Sequence, residues 1–300
     1  MKKKTYLFAL MAMVLTLGSC SDNENGIGGE TSKYITVSTS IGNMTRVATD
    51  ANGGQTFEGG DEISVYAWTG DATVAPETRE RVVNNAINKL TNGSWISNPQ
   101  MLWKNNRDKH YFIGVYPISA ISDLSAGEYT FDETKQVESD LLVAVNKDGL
   151  SYNVDEQQPV PLTFTHVMAK LAVNLTYKNQ WGGIPTVEKV VVGNAAKEAT
   201  INYLTKVVTP STTAKEDFSL PEITENTKYV SVIIPQEDVK QLTIVIGGKN
   251  FVYDNGTPFK LESGKITTVN LEVGRDEIKL GDVKITNWED GSTFKGEALN

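Results

Sequence analysis

The sequence predicts an all-β protein arranged as β-sandwich domains in tandem. Three observations carry that expectation. Apolar and polar residues alternate from Tyr34 onward, with Ile35, Val37, Thr39 and Ile41 on one face and Thr36, Ser38 and Ser40 on the other. That is the period of a half-buried strand. Short apolar runs then recur at close intervals, punctuated by Gly59-Gly60-Asp61, Asn92-Gly93, Gly182-Gly183, Gly247-Gly248 and Asp254-Asn255-Gly256. Such pairs supply the positive φ that tight hairpins require. No segment sustains the apolar stripe of a long helix, and many short strands with frequent turns point to sandwiches.

Taken in chain order, residues 1–19 read as a leader rather than as part of the fold. Lys2, Lys3 and Lys4 are followed by an apolar run, Tyr6 to Leu17, too short to span a hydrocarbon core of roughly 30 Å as a permanent helix. Leu17-Gly18-Ser19-Cys20 resembles a bacterial lipobox, which makes Cys20, the sole cysteine of the chain, the expected lipidated N-terminus. Several acyl chains on one residue give stable anchoring, each buried CH₂ contributing about 0.8 kcal/mol. Residues 20–33 are polar, acidic and glycine-rich, the composition of a flexible tether.

After the strand at Ile35–Ile41, further strands are expected at Glu62–Trp68, Tyr111–Tyr116, Leu141–Val145, Pro161–Phe164, Lys170–Tyr177 and Lys189–Val192. Others follow at Thr200–Leu204, Tyr229–Ile234, Leu242–Ile246, Asn250–Tyr253, Lys265–Val273 and Val283–Asn287. One stretch reads two ways: Val83, Ala86, Ile87 and Leu90 fit a helical stripe, whereas Asn84-Asn85 and Asn92-Gly93-Ser94-Trp95 favour a hairpin. The polar segment Ser151–Pro161 divides the mature chain nearly in half, giving domains at 34–158 and 159–300.

Composition narrows the function. The 300 residues carry 28 Lys and Arg against 37 Asp and Glu, a net charge of −9 that becomes −12 once the three leader lysines are removed. An acidic chain is a poor partner for nucleic acid. One cysteine and two histidines leave no basis for a disulfide, a multi-cysteine metal site or histidine-rich metal chemistry. The sequence has no G-x-S-x-G, H-E-x-x-H or P-loop. Neither a catalytic residue, a metal site nor a cofactor is therefore expected. His110, in Arg107-Asp108-Lys109-His110, reads as the polar start of a strand, and His166 as a hydrogen-bonded structural histidine. Asp132-Glu133 and Glu289-Asp290 read as solvated acids in turns. Tyr66, Trp68, Trp95, Trp103 and Trp181 offer either core aromatics or a glycan platform.

The order of several weak motifs is more specific than any one of them. Behind the lipobox come Met44-Thr45-Arg46, Phe57-Glu58-Gly59-Gly60-Asp61-Glu62-Ile63-Ser64-Val65-Tyr66, Leu102-Trp103 and Tyr111-Phe112-Ile113-Gly114-Val115-Tyr116-Pro117. Asp140-Leu141-Leu142-Val143-Ala144, Pro161 to Leu171, Val232-Ile233-Ile234-Pro235-Gln236, Leu261-Glu262-Ser263-Gly264-Lys265-Ile266 and Ile285-Thr286-Asn287-Trp288 follow. This succession resembles the fimbrillin family, the type V pilus subunits of Gram-negative gut and oral anaerobes, over essentially the whole chain. The resemblance implies two transthyretin-like β-sandwiches, an extended 81–90 stretch, no catalysis and no cofactor. It also implies travel to the outer membrane as a lipoprotein and cleavage by an arginine-specific protease that removes the first strand. A strand from another subunit then fills the opened groove.

Mapped onto this chain, the expected processing site is Arg46, because no other basic residue lies between Lys33 and Arg79. The vacated groove would have covered Ile35, Val37 and Ile41, and the C-terminal donor would offer Val283 and Ile285, with Trp288 anchoring its end. The expected partners are other pilus subunits, the outer membrane through Cys20, and a host or bacterial surface receptor. The competing readings are a monomeric surface lipoprotein that binds glycans and, more remotely, a secreted hydrolase.

Overall fold

The computed structural model describes residues 34–42, 56–152 and 158–288, which fall within one compact unit. Its strands begin with β1 (Val37–Ile41), β2 (Glu62–Thr69), β3 (Val83–Thr91), β4 (Ser94–Asn98), β5 (His110–Tyr116), β6 (Gly127–Thr130) and β7 (Leu142–Leu150). Then come β8 (Val160–His166), β9 (Ala169–Tyr177), β10 (Val187–Ala196), β11 (Glu198–Asn202), β12 (Val207–Pro210) and β13 (Lys215–Ser219). β14 (Glu222–Thr224), β15 (Lys228–Ile233), β16 (Gln236–Ile246), β17 (Lys249–Leu261), β18 (Lys265–Val273) and β19 (Ile278–Asn287) complete the series. Two short 3-10 turns, Thr78–Glu80 and Asn179–Trp181, are the helical elements among the described residues.

The first sheet has seven strands in the order β1-β8-β7-β5-β2-β3-β4. It curls until its two edges face each other, and the Trp95 indole N–H of β4 reaches the Thr39 hydroxyl of β1 at 3.0 Å. The inner face gathers Ile63, Val65, Phe112, Leu142, Leu162 and Phe164 into a core of its own. The outer face sends Tyr66, Trp68, Ile113, Val115 and Val143 into a second core that continues through β9, β10, β15, β16 and β18. β2 and β5 are therefore covered on both sides, which is why Ile63 to Trp68 and Phe112 to Val115 are unbroken runs rather than alternating ones. The second core is closed by a four-stranded sheet, β13-β10-β16-β17, and a five-stranded sheet, β14-β15-β9-β18-β19.

All the strands expected from the sequence are present, and the stretch with two readings is extended as β3. β3 turns into β4 through Asn92 and Gly93 at φ 50° and 78°, the doubly positive φ of a two-residue hairpin with right-handed strand twist. Gly247-Gly248 does the same between β16 and β17. Asp254-Asn255-Gly256 does not turn the chain. It lies inside β17, opposite an irregular register near Val239 and Gln241, where a bulge absorbs the positive φ of Gly256.

The division expected at 158/159 also falls away from a sheet boundary. β8 pairs antiparallel with β7 and parallel with β1, so the first sheet runs to His166. The chain crosses to the five-stranded sheet at Val167-Met168. The two halves interleave as well: β6 pairs with β11 in a small sheet with β12.

Candidate strand-exchange site

β1 is an edge strand held chiefly by what it buries. Ile35 and Val37 are 2% and 6% exposed in the inner core, and Ile41 packs half-buried against the same core. Thr36, Ser38 and Ser40 face solvent. Fully burying two such side chains stabilises by roughly 3–6 kcal/mol. The backbone contributes a parallel ladder to β8, with Val160 N–H donating to Thr36 O and Gly42 N–H to Phe164 O, both at 2.8 Å. Ile35 N–H donates to Met101 O at 2.9 Å on the other side. A groove of about 690 Å³ runs between β1 and β4, bordered by Val37, Thr39, Ile41, Leu90, Trp95 and Ile96.

β19 is an edge strand of the opposite kind. It runs antiparallel to β18, Val283 opposite Val269 and Ile285 opposite Thr267. Yet Val283 and Ile285 are 39% and 40% exposed. The ladder holds it, with Ile278 and Leu280 packed against the second core at its start and one ring at its end. Trp288 is buried, its backbone N–H donating to Gly264 O at 3.1 Å. Its indole stacks on His166 with centroids 4.2 Å apart and planes 7° from parallel, and Lys170 Nζ lies 4.2 Å from a Trp288 ring centroid. Among the described residues Trp288 Nε1 finds no hydrogen-bond partner.

The partners of Trp288 are themselves fixed. His166 Nδ1 lies 2.8 Å from Asp140 Oδ1. Burial lowers the Lys170 ammonium to about 8, opposed by nearby Asp140 and assisted by Lys228. Sequence reasoning identified Trp288 and missed Lys170 and Asp140. A signal was present, since Lys170 interrupts the apolar run Ala169–Val173, in a strand where a lysine must be buried or paired.

Of the remaining sequence-level readings, His110 is buried, its Nε2 accepting from Lys104 N–H at 3.0 Å and its Nδ1 3.0 Å from Asp108 O. Desolvation lowers its pKa, as expected of a neutral ring that clamps a loop. Tyr66 and Trp68 are core residues, at 0% and 2% exposure, so these two take no part in a surface platform. Asp132 accepts from the Thr134 hydroxyl and Glu133 from Ser219 N–H. Among the described residues no three His, Cys, Asp or Glu side chains group as a metal site, and no helix is long and apolar enough to cross a membrane. Cys20, Arg46 and Glu289-Asp290 lie outside the described residues.

Fold and site together define a class: an all-β chain whose first and last described strands sit on the edges of two different sheets. The chain belongs to the fimbrillin-like family, whose model matches residues 45–288. It is 25% identical, over 97% of each chain, to a Bacteroides uniformis protein named as a candidate fimbrium subunit, Fim1C. Its fold resembles that of a candidate cell adhesion protein from Bacteroides ovatus, with TM-score 0.64 and 18% identity over 85% of this chain and 98% of that one. A second, from Bacteroides uniformis, matches with TM-score 0.63 and 20% identity over 86% and 100%.

Proposed function

We propose that this chain is a cell-surface fimbrial subunit that assembles by strand exchange and takes part in adhesion. It reaches the outer membrane with lipid on Cys20. An arginine-specific protease cuts after Arg46, and β1 leaves with the N-terminal segment. The groove that held Ile35, Val37 and Ile41 then accepts an extended segment from another subunit, with Val283 and Ile285 of that copy as the incoming apolar residues. The observation that carries this reading is the pair of edge strands: β1 covers a core that is left open without it, while β19 keeps two apolar side chains on its surface. An uncovered apolar groove with a free backbone edge recruits a strand. Family membership and the relative Fim1C support the same reading.

The test is to treat the purified precursor with an arginine-specific protease. Cleavage at Arg46 followed by oligomers supports exchange. Those oligomers should vanish on deletion of residues 283–300 and in the double variant Val283→Ser, Ile285→Ser. The double variant alters exposed positions and should leave the monomer folded. A cleaved chain that stays monomeric at high concentration refutes exchange.

A further inference from the structure

β1 and β19 belong to different sheets, yet their C-terminal ends converge on one place. Ile41 stands opposite Phe164 in the parallel ladder, and Gly42 N–H donates to Phe164 O at 2.8 Å. Two residues on, His166 ends β8 and stacks on Trp288, the residue that follows β19. A cavity of about 270 Å³ fills the corner between them, and Ile41, Phe57, Asp140, His166 and Lys170 all line it. The side chain that completes one wall is therefore contributed by β1. The Asp140–His166 pair and the Lys170 ammonium on the other wall are the groups that seat Trp288.

Departure of β1 from that wall has two physical effects. Phe164 O loses its donor from Gly42, which loosens the end of β8 two residues before the ring that supports Trp288. Water also gains access to Lys170, buried at 2% exposure, and to the Asp140–His166 pair. Hydration of a buried ammonium competes with its contact to an indole face, which is worth most when desolvated.

We propose that the seating of β1 on the first sheet and the attachment of β19 to the five-stranded sheet are coupled through the end of β8, which pairs with β1 at Phe164 and carries the His166 ring that stacks on Trp288, so that displacing either strand loosens the other. The biological meaning of this coupling rests on the strand-exchange reading: departure of β1 would free the donor as it opens the acceptor. The coupling itself is a property of the folded monomer.

Hydrogen–deuterium exchange on the full chain tests it without requiring assembly. Ile41→Ala should speed amide exchange along β19 about tenfold, within the usual range of coupling between sites, while β10 and β16 keep their protection. Because coupling is reciprocal, Trp288→Ala should in turn speed exchange along β1. Lys170→Met, which keeps the length of the stem and removes the charge from the indole, should loosen both strands in the same direction. The coupling is refuted if Ile41→Ala affects only β1 and Trp288→Ala only β19. Failure of the cleaved chain to form oligomers would refute strand exchange and leave this result standing, so the two ideas fail separately.

Discussion

Trp288→Ala and Trp288→Phe separate what the indole contributes by packing from what it loses by burial. Trp288 is 3% exposed, rests against His166 at 4.2 Å and receives Lys170 Nζ at 4.2 Å from a ring centroid. Truncating a buried tryptophan to alanine costs about 3–5 kcal/mol, of which a desolvated cation–π contact accounts for about 2 kcal/mol. The indole Nε1 has no hydrogen-bond partner among the described residues, and a buried unpaired donor carries a penalty of about 1–3 kcal/mol. Phenylalanine removes that penalty while keeping a ring against His166. Trp288→Phe should therefore cost less than about 1.5 kcal/mol, and Trp288→Ala about 3 kcal/mol or more. Urea unfolding with exchange measured at β19 resolves the two, since an edge strand can open locally without global unfolding. Equal losses in both variants, or a loss below about 1 kcal/mol for alanine, would show that the ring does not anchor the strand.

Gly114→Ala should destabilise by about 1–3 kcal/mol through overpacking. A Cβ at Gly114 would lie 2.7 Å from Phe164 Cζ and 3.1 Å from Leu162 Cδ1, both buried in the inner core on the strand beside β1. The urea midpoint checks it, and an unchanged midpoint would mean that Phe164 has room to move. Lys170 gives a pH signature. Its pKa is about 8 in the folded chain against 10.5 for the ordinary group, so the unfolded state holds the proton between those values and stability rises with pH across that window. The rise should be absent in Lys170→Met, measured as the difference in unfolding free energy between the two proteins from pH 8 to 10.5.

The strands of this fold were legible where local chemistry decides them. Asn92-Gly93 and Gly247-Gly248 force hairpins, and Ile35, Val37 and Ile41 show the face they bury by alternation alone. The short strands β6, β12 and β14 were not legible, because Gly127-Glu128-Tyr129-Thr130 and Glu222-Ile223-Thr224 carry little apolar pattern and depend on their neighbours for pairing. The placement of β8 was hidden for a different reason. Its alternating pattern says that one face is buried, but not whether its partner is β7 before it or β9 after it. At the candidate site the apolar groups could be read directly. The seating of Trp288 could not, because His166, Lys170 and Asp140 meet it only after the chain has crossed between sheets.

The two edge strands are held by opposite means, and that asymmetry bears on how an exchange would work. β1 is short, with polar Thr36, Ser38 and Ser40 outward and Ile35, Val37 and Ile41 inward. β19 repeats the pattern with Asp282, Lys284 and Thr286 against Val283 and Ile285. Its charges also suit an exposed edge, since lysines on an edge strand discourage indiscriminate pairing. A segment replacing β1 must keep polar residues outward, and β19 satisfies that condition with its apolar pair two residues apart, the spacing of Ile35 and Val37. Trp288 does not belong to the same set. It lies three residues beyond Ile285, an odd offset that puts it on the opposite face of a regular strand. It therefore cannot enter the groove alongside Val283 and Ile285 unless a bulge intervenes. Under the proposed exchange, Val283 and Ile285 determine how well the donor fits its acceptor, and Trp288 determines how firmly the donor is retained on its own subunit beforehand.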